Sequence, residues 1–502
     1  MSNEVTTNAS QGEMQRGIKG WQVAFIGLGG VIGSCYFLGM GICIHDMGPA
    51  VFLAFGIVGV IVYGLMIAYA ELLVNLPRKG SFIAYTSEFL GPTVSTGFGW
   101  AFWFNWVCYV PSEAIAVATV VTALFNTTSG VAYIAIALGT MAAITVINLS
   151  AVDAFAKIES GLAITKCLVI IAFMLIALGI WIGLWGANDT FSGFLAGTVN
   201  FNSGQGFVHD LFPNGFSVVI VNMVVVLVTF QGTEIVGLTA AEAQDPDTSV
   251  PKACKSVTYR IVLLYMIPIL LVLLIFPFTM ANDSNAVFSD IMYFYDLPVL
   301  GKIFGAIVLV AAFSCANTGF YGTVRCMFGL SIEGLAPKGF SKIAKNGNPR
   351  NAAIFTVIAM WVVLCVGLIS QLTGALESLY ASLLSMSGFT GTLAWIGIIL
   401  SWIVFRRQYV ARGYKIEDLR ARVSKGQRWI PWFACLAQIV CLALMAFGDG
   451  QLPVFCIACS AVFLPMIIKK IAERKGLMHT SSGGSSDSDE KTFDEMFPPI
   501  RG

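Results

Sequence analysis

Two stretches of this 502-residue chain set glycines and polar side chains inside otherwise apolar runs, where they can bind an amphiphilic solute. Residues 24–41 hold six glycines in eighteen positions, with Gly29, Ile32, Gly33, Ser34, Cys35 and Tyr36 near the centre. Such a run either packs helices closely through small-xxx-small spacing, as Gly29 with Gly33 allows, or unwinds and frees its amides and carbonyls. Free backbone groups persist at membrane depth only where they line a cavity or bind a ligand. Residues 228–237 (VTFQGTEIVG) decide between the two, because Val228, Phe230, Gln231, Gly232 and Glu234 form a second interruption. Paired interruptions at matching positions of two halves point to a transporter site. Amides at a half-helix N-terminus suit a carboxylate, and freed carbonyls suit an ammonium. One site with both fits a zwitterion, hence an amino acid rather than a sugar.

Four ionisable residues inside apolar runs require an account, since each is costly there if charged and unpaired. Lys166 lies within the run LAITKCLV. It is either a fixed cation holding helices together or a desolvated lysine that loads and releases a proton each cycle. Glu234 follows the second interruption, where it can cap freed amides or relay a proton. Glu113 has no partner that the sequence names, and Arg325 can snorkel toward an aqueous end.

The elements that position these residues are membrane helices. The chain is 57% hydrophobic and 11% charged, against about a quarter charged in a soluble protein. Apolar runs of about twenty or more residues, long enough to cross a bilayer, begin near Trp21, Pro49, Gly97, Val131, Ser160, Phe216, Val257, Leu297, Ala352, Leu376, Ile430 and Leu452. Alternate loops carry no Lys or Arg, while the others hold Arg78 and Lys79, Lys157, Lys252 and Lys255, Lys338 to Arg350, and the dense set from Arg406 to Arg428. Lys302 is the one exception. The positive-inside rule makes the basic side, with both termini, cytoplasmic. The expected division is a cytoplasmic tail over 1–18, a transmembrane domain over 19–475, and a disordered cytoplasmic tail over 476–502, where SSGGSSDSDE cannot build a core. The Gly-rich outer loop over 186–214 has room for a short helix or hairpin.

Other classes fit poorly. The polar N-terminus, with Arg16 and Lys19 ahead of a long apolar run, argues against a cleaved signal peptide. A net charge of +1 gives no basic field for nucleic acid. Cys456 and Cys459 form a CxxC, which on a membrane helix is an i, i+3 pair, and His45, His209 and His479 are far apart. No metal or cofactor site is expected. The chain holds neither HExxH nor GxSxG in a strand-turn-helix setting, so an enzyme is not expected.

At these residues the chain resembles the amino acid–polyamine–organocation (APC) superfamily, within it the amino acid permeases that include bacterial lysine permeases. The resemblance rests on the glycine-rich residues 26–39, on ELLVNLPRKGSFIAYTSEF over 71–89, and on FQGTE over 230–234 with Ala241-Glu242 and Asp245-Pro246. FSCANTG over 313–319 with Tyr321 and Arg325, and LSMSGFTG over 384–391 running to Phe405-Arg-Arg, complete it. It covers about residues 15–475.

The resemblance implies an all-α membrane protein of about twelve transmembrane helices. The implied arrangement is a leucine-transporter-like 5+5 inverted repeat with broken first and sixth helices, plus two C-terminal helices. It implies that the amides of Gly33 and Ser34 hold the substrate carboxylate and that carbonyls near Gly29, Ile32, Val228 and Gln231 hold its ammonium. Phe230 or a near neighbour is the implied aromatic gate, and Gly232 belongs to the same break. Lys166 falls where proton-coupled members place a lysine in the space of a sodium ion, with carbonyls of the first helix and Ser314 as neighbours. Cys35 departs from the pattern, because relatives usually carry glycine there and seldom an aromatic hydroxyl at the Tyr36 position. A Cβ and a sulfur at that place narrow the site. The expected function is proton-coupled amino acid uptake across the cytoplasmic (inner) membrane, by a monomer or weak homodimer, with a cationic or a neutral substrate. Glu113 or Glu234 would meet a distal positive charge. An amino acid/amine exchanger and a transporter-like amino acid sensor are the alternatives.

Overall fold

The computed structural model describes residues 19–20, 30–78, 80–150, 155–184, 199–201, 203–239, 246–281, 286–344, 349–374, 378–448, 451–475 and 491–500. Every regular element among them is a helix. Ten helical runs are long and apolar enough to cross a membrane, and Val262–Ile275 is a shorter apolar one. The chain is an all-helical, multi-pass membrane protein.

The first run, Cys35–Asn75, contains a π-turn over Cys35–Gly39, then α1 (Met40–Met47) and α2 (Val51–Asn75). Between α1 and α2, Gly48 sits at φ +59 with Pro49 behind it. Glycine enters this left-handed region without steric cost, and a Cβ there would stand 2.5 Å from Pro213 Cγ. Next come α3 (Phe82–Leu90) and α4 (Pro92–Leu124), the latter opened by Gly91 and a proline at its first position. They are followed by α5 (Gly130–Ser150), α6 (Phe155–Trp181) and α7 (Phe216–Val228). A five-residue helix, Phe207–Leu211, precedes α7. Then α8 (Pro246–Ile261) passes through a π-turn, Val262–Met266, into α9 (Ile267–Ile275), and α10 (Val287–Phe294) leads to α11 (Pro298–Ile332). The chain continues with α12 (Arg350–Leu372), α13 (Leu379–Ala411), α14 (Trp429–Met445) and α15 (Leu452–Arg474).

α4 is the hub and packs on α11, α13, α15, α5 and α12. α4 and α13 are the most enclosed spans, whereas α5 and α15 face mostly outward. Leu168 and Leu175 on α6, and Val362, Val366 and Ile369 on α12, are exposed at helical spacing. Large apolar side chains repeated on one helix face in this way meet lipid rather than water.

The end of the molecule that carries the basic loops is joined by a buried ion pair. Arg406 Nε and Nη2 each donate to a different oxygen of Glu71 at 2.6 Å. The Val423 amide donates to Glu71 at 2.6 Å, and Arg406 also reaches the Val423 carbonyl at 3.1 Å. The Arg406 guanidinium lies 4.6 Å from the Trp402 ring. Bidentate geometry and filled lone pairs are the conditions under which a buried pair is tolerated. Glu71 and Arg406 thus connect the ends of α2 and α13 to the loop between α13 and α14.

The C-terminal segment departs from the disorder expected for 476–502. Residues 476–490 and 501–502 lie outside the described residues, but residues 491–500 dock at the same end. Thr492 and Glu495 form a reciprocal capping box that opens a short helix, Phe493–Met496. Phe493 is buried between the rings of Phe89 and Phe405. Its amide donates to Glu88 at 2.6 Å, and Arg412 donates to the Phe497 carbonyl at 2.7 Å and pairs with Asp494. Arg78, itself bonded to Glu88, donates to the Lys491 carbonyl at 2.6 Å. Composition alone misses this segment, since one aromatic anchor and its capping box are too few residues to alter an average. Phe493→Ala is expected to undock it, because truncating a buried Phe costs about 3–5 kcal/mol. Limited trypsin digestion in detergent should then cut after Lys491 at least about tenfold faster than in the wild type, the open form controlling cleavage. An unchanged rate would mean that Phe493 does not hold the segment.

Candidate functional site

Among the described residues, non-helical backbone lies inside the two glycine-bearing apolar stretches at 30–33 and at 229–234. Both interruptions fall where glycine and polar residues displace the apolar pattern. They touch each other at Gly232, which sits at φ +104 and would place a Cβ 2.6 Å from the carbonyl carbon of Gly30. Glycine is required there on both counts, conformation and space.

The first break is held by side chains from four other helices. The Ser34 amide donates to both oxygens of Glu113 on α4, at 3.1 and 3.0 Å. The Ser34 hydroxyl is 3.0 Å from the Tyr380 hydroxyl on α13. Gly33 faces the same cluster: a Cβ there would overlap Glu113 Oε1 and stand 2.8 Å from both Cys315 Sγ and the Tyr109 hydroxyl. The Ile32 carbonyl accepts from Lys166 Nζ of α6 at 2.7 Å, and the Gly30 carbonyl accepts from Cys315 Sγ of α11 at 3.0 Å. Ser34, Glu113 and Lys166 are all fully buried.

Ser314 meets Lys166 through an intermediary. Its hydroxyl donates to Oε1 of Glu159, a fully buried carboxylate on α6 that also interacts electrostatically with the Lys166 ammonium. Glu159 was not singled out in the sequence because it sits at the very start of its apolar run. A signal existed, since it precedes Lys166 by seven residues, two helical turns, and so shares its face.

The second break is closed largely by its own residues. Glu234 accepts the Gly232 amide at 3.2 and 3.0 Å and the Trp395 indole N–H of α13 at 3.0 Å. It therefore caps freed amides, one of the two roles open to it from sequence. Gln231 donates to the Ser387 and Gly388 carbonyls at 3.3 and 3.2 Å. The Val228 carbonyl accepts the Gln231 amide at 3.1 Å within the turn. Phe230 stacks on Tyr265 with ring centroids 4.3 Å apart and tilts against Phe55. Tyr265 donates to the Thr229 carbonyl at 2.8 Å, and the Tyr36 hydroxyl donates to the Leu264 carbonyl, so the aromatic cluster ties both breaks to the helical run around the π-turn Val262–Met266.

Of the residues expected from sequence, Ile32, Gly33, Ser34, Lys166 and Glu113 converge on the first break. Phe230, Gln231, Gly232 and Glu234 converge on the second. Gly29 lies outside the described residues. Cys35 is buried, with its sulfur where a Cβ on Gly39 would come within 2.8 Å, so it fills the turn above the break. Tyr109, Tyr380, Cys315 and Trp395 join them and carry no local sequence signal, because nothing local marks a residue that acts on a distant helix.

The non-helical segments 30–33 and 229–234 meet at a buried polar cluster inside a multi-pass membrane protein, an arrangement suited to a membrane carrier of small solutes. The sequence profile described as "Amino acid permease" matches residues 22–470, and the chain belongs to that family of transporters. It is 31% identical over 454 residues to the lysine-specific permease LysP of Escherichia coli (strain K12), covering 88% of each chain. It is 32% identical over 430 residues to the lysine-specific permease LysP of Lactococcus lactis subsp. cremoris (strain MG1363), covering 82% of this chain and 80% of that one. It is 31% identical over 442 residues to the histidine permease HisP of the same strain, covering 86% and 87%.

The contact between the breaks gives a direct test. Gly232→Ala adds a Cβ against backbone in a left-handed conformation, and is expected to lower uptake of the transported amino acid by at least about tenfold, at roughly 1–3 kcal/mol for such backbone strain. Gly91→Ala serves as the control, since Gly91 has φ +89 but open space around its Cβ position. Equal uptake by the two variants would show that the approach of the two breaks is not needed.

Proposed function

We propose that the protein imports an amino acid across the cytoplasmic membrane by proton-coupled symport with alternating access. The reading takes twelve spans, with both termini cytoplasmic. Ten apolar runs become twelve if Cys35–Asn75 divides at Gly48 and Val262–Ile275 counts as a span. The first five and next five would form inverted repeats, with α14 and α15 as the two additional helices. Both breaks then fall at corresponding positions, the first and sixth spans, which is where carriers of this architecture bind solute.

The observation that carries the coupling is the Lys166 ammonium on the Ile32 carbonyl inside the first break. A charge-assisted bond of this kind is about twice as strong as a neutral one. Loss of the proton weakens the hold of α6 on the broken helix, and that helix is free to tilt. Glu159 interacts with the same ammonium, and Ser314 is bonded to Glu159, so the pair is suited to pass the proton. The substrate carboxylate is assigned to the amides of Gly33 and Ser34, its ammonium to carbonyls of the two breaks, and Phe230 with Tyr265 to the aromatic wall above it. Relatives named for lysine and histidine favour a substrate with a cationic side chain.

Purified protein in proteoliposomes with an imposed inward proton gradient is expected to accumulate labelled lysine or histidine. Lys166→Ala should reduce this accumulation to the level of protein-free vesicles. Accumulation that ignores the gradient, or that survives Lys166→Ala, would sink the coupling. A counterflow screen in which uptake depends on an internal amine would establish exchange instead.

A further inference from the structure

The proposed site already contains a carboxylate. Of the two amides assigned to the substrate, that of Ser34 is taken by Glu113 at 3.1 and 3.0 Å, and the space beside Gly33 is filled by its Oε1. Two carboxylates cannot share that position, since neither the space nor the charge allows it. The two breaks also differ in where their caps come from. At the second break the cap is local, two residues from the amide it serves. At the first break the cap is delivered from α4, 79 residues along the chain. A local cap leaves only if its own turn rearranges, whereas a side chain from a neighbouring helix can leave by rotation and stay close by.

Resting on the reading that this break binds substrate, we propose that the Glu113 carboxylate is a tethered occupant of the amide site, which an incoming amino acid carboxylate displaces. The displaced Glu113 then stands beside the ligand as an anion and meets its cationic group. The ligand class is an α-amino carboxylate with a second positive centre. The empty site stays capped, so the broken helix never exposes a bare amide, and the substrate swaps one charge-assisted bond for another. The same amine without a carboxylate gains nothing from the exchange and finds only the anion.

The test is equilibrium binding to the full-length protein in lipid nanodiscs, with labelled lysine and histidine as probes and their decarboxylated counterparts, cadaverine and histamine, as competitors. Glu113→Gln keeps the shape and can still accept the Ser34 amide, but without the charge. It loses the attraction for the cationic group equally for acid and amine, and weakens the competitor that only the acid must displace. The ratio of amine to acid dissociation constants is therefore expected to rise about tenfold, the step from a charged to a neutral acceptor. Glu113→Asp, whose shorter side chain reaches the amide poorly, should move the ratio in the same direction, and provides the measurement if the glutamine variant unfolds. An unchanged ratio with both ligands weakened would mean that Glu113 only receives the cation. An unchanged ratio with unchanged affinities would mean that it only caps the helix. Either result overturns displacement while leaving the amino acid site standing. A wild-type protein that binds none of these ligands overturns the site and the displacement together.

Discussion

A backbone that stops being helical inside a membrane must find other partners for every group it frees, because lipid offers none. That constraint organises the centre of this molecule. The Ser34 amide has Glu113, the Ile32 carbonyl has Lys166, the Gly30 carbonyl has Cys315, and the Gly232 amide has Glu234. Each of the three charged residues in this set would be expensive at its depth for any other reason. Their cost is offset by what they bond, and the breaks persist because the charges are there. Charge and break explain one another, and neither would survive removal of its counterpart.

The arrangement of long helices follows from the same need. Glu113 lies on α4, Cys315 on α11, Tyr380 and Trp395 on α13, and α4 packs along both α11 and α13. α4, α11 and α13 therefore deliver these partners, and the spans with lipid-facing rows of Leu, Ile and Val present those rows away from them. α6 belongs to both groups. Leu168 and Leu175 face outward, while Lys166 faces the first break and Glu159, two turns before it, bonds Ser314 of α11.

The two breaks are legible in the sequence because glycine and polar residues interrupt apolar runs, a local signal that needs no tertiary information. Lys166 is legible for a related reason, as a lone charge in a run too apolar to leave it unpaired. The partners are not legible in the same way. Glu113 shows as an anomaly without a partner, since the amide it caps is far along the chain and amides carry no sequence label. Glu159 sits at the edge of its run, where a carboxylate looks like a loop residue until the helix is seen to begin before it. The docked residues 491–500 were hidden by averaging, for the polar stretch ahead of them dominates the composition, whereas Phe493 with the Thr492–Glu495 capping box is a specific and readable motif.

The contact of Gly232 with the Gly30 backbone makes the two breaks mechanically one object. Glycine meets backbone there with no side chain between, so an approach of either segment toward the other is opposed directly. Groups that hold the first break from α4 and α6 thereby act on the second as well, and Glu234 and Trp395 act in the reverse direction through the same contact. A proton on Lys166 and a carboxylate on the Ser34 amide lie on either side of Gly33, one on the carbonyl before it and one on the amide after it. Those two atoms are separated by a single residue, so the proton coupling proposed above would need no long relay. It would need only that one turn of unwound chain cannot satisfy both partners equally in its two positions.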